Sequence, residues 1–99
     1  MEVSVKAIKF DATEKLHEFI QKKVGKLGRL SPDIKGIEVS LKVAKPASAL
    51  NKQAAITVSL PGEDIYVEKT CDTFEEAVDQ AIPAVEKQLE RYKEKKEKQ

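Results

Sequence analysis

TFEEAVDQAIPAVEKQLERYKEKKEK, residues 73–98, decides the architecture. Wound as an α-helix at roughly 100° per residue, it places Phe74, Val78, Ala81, Ile82, Val85, Leu89 and Tyr92 on one side, which is a core face. Glu75, Asp79, Glu86, Glu90 and Glu97 fall on one flank of that face. Lys87, Arg91, Lys95 and Lys98 fall on the other. A helix that needs only solubility mixes its signs, because opposite charges four residues apart stabilise one another. Here charge is sorted around the axis, although Glu86 and Glu90 still alternate with Lys87 and Arg91. Pro83 lies inside the helix, where its missing N–H should kink the helix or shift its start.

Upstream, EVSVKAIK (2–9) alternates Val3, Val5 and Ala7 with polar residues and reads as a half-buried strand. Asp11 or Thr13 can cap the helix that follows, since either oxygen can accept from its first free N–H groups. In TEKLHEFIQKKVGKLGRL the apolar set is Leu16, Phe19, Ile20, Val24 and Leu27. Lys15, Lys22, Lys26 and Arg29 share a sector of about 60° on one flank of that set. No acidic residue lies between 22 and 29, so this like-charged run calls for solvation or an anionic partner. Gly25-Lys26-Leu27-Gly28 matches the spacing of the phosphate-clamping GxxG loop of KH domains. Four residues match often by chance, and Val24 and Leu27 continue the helical face. Gly28 therefore reads as a helix end before Ser31-Pro32.

GIEVSLKVAK (36–45) sets Ile37, Val39, Leu41 and Val43 against Glu38, Ser40 and Lys42, a clear strand. After a loop at 46–51, QAAITVSL (53–60) gives a third, with Ala54, Ile56, Val58 and Leu60 inward. Pro61-Gly62 suits the centre of a type II turn, and Ile65 to Cys71 returns as the fourth strand. Lys69 breaks its inward pattern by reaching past the edge of the core. The order is strand, helix, three strands, helix. This predicts an α+β fold, β-α-β-β-β-α: a four-stranded mixed sheet with two helices packed on one face. Strands one and two are expected parallel through a right-handed crossover, and the remaining pairs antiparallel. With both helices on one face, their basic flanks are expected to meet in one cationic surface.

Ninety-nine residues with 40% hydrophobic content make one domain, 1–99, whose residues 94–99 are expected to fray. Net charge is only +1, but residues 62–86 carry −7, while 13–30 and 87–99 carry +3 each. Such a molecule can turn a positive face to a polyanion and a negative face away. A lone cysteine, Cys71, excludes an internal disulfide, and with no signal peptide it points to the cytoplasm. Apolar runs are too short to span a membrane. His17 has no cysteine or second histidine at metal spacing, and Cys71 has no histidine in a partner pattern. No P-loop occurs. Catalysis, a metal, a cofactor and a small-molecule substrate are not expected, and a binding module remains.

Several stretches together resemble the ribosome hibernation-promoting factors, also called ribosome-associated inhibitor proteins. They are Thr13-Glu14 opening the first helix, the isolated strand at 36–45, Phe-x-x-Ala-Val-Asp at Phe74 to Asp79, and Lys87-Gln88-Leu89-x-Arg91-Tyr92-Lys93. The likeness covers nearly the whole chain and ends after the second helix, as in the short form without a C-terminal dimerising domain. It implies a domain that occupies the messenger and transfer RNA channel of the small ribosomal subunit. There it blocks translation and preserves idle ribosomes during slow growth, stress and stationary phase. It also implies ribosomal RNA contacts at Lys22, Lys23, Lys26 and Arg29 on the first helix and at Lys87, Arg91, Lys93 and Lys95 on the second. Lys42 and Lys45 are weaker candidates. Ala84 stands where many members carry lysine, so one phosphate contact is missing. The short tail places the chain nearer the members that favour ribosome dimers, with a ribosome dimerisation factor as a further partner. Two other readings stay open: a double-stranded RNA module, and a protein interaction domain docking through the acidic flank of the last helix.

Overall fold

The computed structural model describes residues 2–44 and 50–97. Its elements are β1 (Glu2–Ala7), α1 (Glu14–Gly25), a 3-10 turn (Lys26–Arg29), β2 (Gly36–Val43), β3 (Lys52–Leu60), β4 (Glu63–Cys71) and α2 (Phe74–Glu97). The sheet runs β1-β2-β3-β4, with β1 and β2 parallel and the other pairs antiparallel. This is the predicted α+β arrangement. Lys45 and Lys98 lie outside the described residues.

Alternation fixes the register. Val5, Val39, Ile56 and Val67 stand side by side across the four strands, as do Val3, Ile37, Val58 and Ile65. A slip of one residue would turn either row to water, so burial of one face locks the pairing. Both helices close that face: α1 packs on β1, α2 on β3 and β4, and each touches the other. Leu16, Ile20, Val24 and Leu27 meet Phe74, Val78, Ala81, Val85 and Leu89 in one core.

Both helix starts are capped by threonine. Thr13 Oγ1 accepts from the Leu16 amide at 3.1 Å, which settles the choice between Asp11 and Thr13. Thr73 Oγ1 accepts from the Glu76 amide at the same distance. Gly62 closes the β3–β4 hairpin at φ +85°, a conformation that glycine adopts without a Cβ penalty. The Tyr92 hydroxyl donates to the Pro61 carbonyl at that turn, 3.4 Å away, holding α2 to the hairpin. Lys69 pairs with Ala54 on the core side yet stays exposed, because β4 is the sheet edge. Cys71 is buried, and burial pushes its thiol pKa up.

The start of α2 is not displaced by Pro83, and the helix continues to Glu97. Residues 94–97 are helical and 98–99 lie outside the described residues; the Lys96 ammonium pairs with Asp33 in the loop before β2. That hydrogen bond pushes the Lys96 pKa up, so the tether is complete below the ordinary lysine range and is lost as pH rises through the raised value. Pro83 leaves the Asp79 carbonyl without its helical donor, and its ring is exposed. Pro83→Ala is therefore expected to stabilise the fold by about 1–3 kcal/mol, read as a higher urea midpoint. A lower midpoint would show that the proline ring contributes more across the helix pair than the missing bond costs.

Candidate nucleic-acid interface

Helical periodicity and the packing of α1 against α2 together place the candidate cations of the two helices. Lys22, Lys26, Arg29, Lys87, Arg91, Lys93 and Lys95 are exposed, and Lys23 is half-buried. Lys23 is held twice. Its ammonium sits 5.7 Å from the centre of the Phe19 ring and 3.9 Å from the Asp79 carboxylate on α2. The ring attracts the cation through its quadrupole, and the ion pair, half open to water, adds little stability of its own.

A groove of about 290 Å³ runs between the helices, lined by Lys23, Lys26, Leu27, Leu30, Asp79, Ile82, Pro83 and Glu86. The flank that α2 turns to α1 is thus the acidic one. Arg91 and Lys95 lie on the opposite flank, beside Glu63 and Ile65 of β4. Lys87 follows them on the wheel. Lys93 comes seven residues after Glu86, about two helical turns, and shares the groove side. The single cationic surface expected from the sequence is therefore replaced by two basic bands with an acidic strip between them. The reason is electrostatic as well as topological, since α1 arrives with its own lysines and an acidic neighbour attracts where a basic one would repel.

Lys42 belongs elsewhere. It alternates with buried Leu41 and so faces the side of the sheet that the helices leave open, near Ile8, Lys9 and Val43. Gly25 to Gly28 form the end of α1 and the 3-10 turn, with Gly25 at φ −58°, so no KH-type loop is present there. His17 is exposed and shares a 3.1 Å hydrogen bond with the Gln21 amide. Among the described residues, no group of three or more His, Cys, Asp or Glu could hold a metal ion, and no helix is long and apolar enough to cross a membrane. Asp33, the partner of Lys96, and the groove-side position of Asp79 and Glu86 were not legible in the sequence.

A family model described as sigma 54 modulation protein / S30EA ribosomal protein matches residues 3–97. The chain belongs to that family. This is the hibernation-promoting group that its helix sequences resemble. Two solved structures share the fold of this S30EA family member. A ribosomal subunit interface protein from Coxiella burnetii superposes with a TM-score of 0.83 at 26% identity, covering 94% of this chain and 98% of its own. The N-terminal domain of Thermus thermophilus protein Y gives 0.77 at 25% identity, covering 93% and 99%. No curated protein matches in sequence.

Proposed function

We propose that this chain is a ribosome-binding translation inhibitor of the cytoplasm, acting in the messenger and transfer RNA channel of the small subunit and promoting ribosome hibernation during slow growth. Family membership over residues 3–97 carries the reading. The Coxiella burnetii relative, a ribosomal subunit interface protein by name, agrees with it. The site supports it: Lys22, Lys26 and Arg29 form one band and Lys87, Arg91 and Lys95 another, all exposed and without internal carboxylate partners among the described ion pairs, while Lys93 stands apart on the groove side.

The mechanism needs no bond chemistry. Lysine and arginine ammonium and guanidinium groups neutralise ribosomal RNA phosphates and release condensed counterions, and a rigid helix pair holds the charges in register. Messenger and transfer RNA are then excluded by occupancy. The test is co-sedimentation of the protein with separated small and large subunits across a salt series. Retention on the small subunit is expected to fall steeply between about 50 and 200 mM salt, by about 0.9 log unit in affinity per log unit of salt for each phosphate contacted, or less where the RNA is single-stranded. Absence of sedimentation with any ribosomal particle at low salt would overturn the reading.

A further inference from the structure

The groove between the helices suggests a role for residues that touch no phosphate. We propose that Asp79 and Glu86 are specificity-determining: their acidic strip divides the cationic surface so that it accepts phosphates on two separate flanks and refuses a continuous track across both helices. The inference rests on the RNA-binding reading given above.

The geometry makes the division effective. Asp79 lies 3.9 Å from Lys23, so one of the two lysines that α1 and its 3-10 turn present to the groove is already balanced. Glu86 is half-buried on the same wall. The floor is apolar, formed by Leu27, Leu30 and Ile82, with Leu30 41% exposed. A phosphate settling there would lose water and meet two carboxylates on the α2 wall, while Lys26 on the α1 wall can hold a phosphate without crossing to them. A phosphate on the α1 outer flank or at Arg91 meets the opposite field. Free duplex RNA carries unbroken phosphate rows and would have to lay one across the strip. Folded RNA, in which separate strands approach from two sides and leave an uncharged surface between, would not. The strip thus penalises the wrong partner instead of adding affinity for the right one, which is how specificity is gained when positive charge alone attracts any polyanion.

The experiment compares the wild type with the double variant Asp79→Asn, Glu86→Gln, both near-isosteric changes on a solvent-facing wall. Binding to purified small subunits and to a free RNA duplex of about 20 base pairs is measured over a salt series, with thermal unfolding recorded in parallel. The variant is expected to bind the duplex at least about tenfold more tightly, with small-subunit affinity changed less than about threefold. Unchanged duplex binding by a folded variant overturns the proposal and leaves the strip as a helix-pairing feature. An equal gain for both ligands also overturns it, since discrimination would then be untouched. Wild-type protein that fails to bind small subunits at all overturns the function itself, an outcome separate from either of these.

Discussion

Lys26→Glu combined with Arg91→Glu is expected to weaken small-subunit binding by at least about 100-fold at near-physiological salt. The two residues sit on different bands, one on the 3-10 turn after α1 and one on the β4 side of α2. Each substitution removes one charge-assisted contact, worth about 1.5–3 kcal/mol before screening, and puts a like charge against phosphate. Because the sites are separated and share no partner, their effects should add. The slope of log affinity on log salt should become shallower by up to about 2, one phosphate for each position. Both side chains are exposed, so thermal unfolding should hardly move. If Arg91→Glu alone leaves binding unchanged while Lys26→Glu abolishes it, α1 carries the contact and the α2 band faces away from RNA.

Leu89→Ala is expected to cost about 2–5 kcal/mol of folding stability. Leu89 is 1% exposed, on the face of α2 that covers β3 and β4. Truncation removes its apolar burial and leaves a void that a sheet and a helix, each held by its own hydrogen bonds, cannot collapse to fill. For a domain of this size, 1 kcal/mol corresponds to about 4–8 °C in melting temperature, so a loss of at least about 8 °C is expected. Set against a typical total of about 5–15 kcal/mol, one side chain can remove a third of the margin. A change below about 1 kcal/mol would mean that this part of α2 is loosely packed in solution.

Much of this structure was legible in the residues. Strand alternation at 37–43 and 54–60 and the proline-glycine turn at 61–62 each rest on local chemistry. So does the apolar stripe from Phe74 to Tyr92, and all are found where expected. Thr13 and Asp11 could not be separated, because both oxygens reach a first-turn amide in principle and only the backbone path selects one. The cation placement divides in the same way. Periodicity states how far Arg91 or Asp79 stands from the core face around the axis of α2. It does not state which side of that axis meets α1, because this depends on the direction in which α2 crosses the sheet. The Lys96 pairing with Asp33 joins residues 63 apart in sequence, and no short-range rule reaches that far.

Strand order in the sheet follows strand order in the chain, so each strand finds its neighbour among the segments already made. The antiparallel pairs β2–β3 and β3–β4 cost little loop-closure entropy and form easily, whereas the parallel β1–β2 pair must close across α1 and costs more. What the growing chain lacks is cover. Ile56, Val58, Ile65 and Val67 remain open to water until α2, which follows all four strands in the chain, docks on them. During synthesis the sheet is therefore the adhesive species, and helix docking ends the period in which it can aggregate. The same event brings the second cationic band into place, so a nascent chain buries its adhesive face and completes its charged surface in one step.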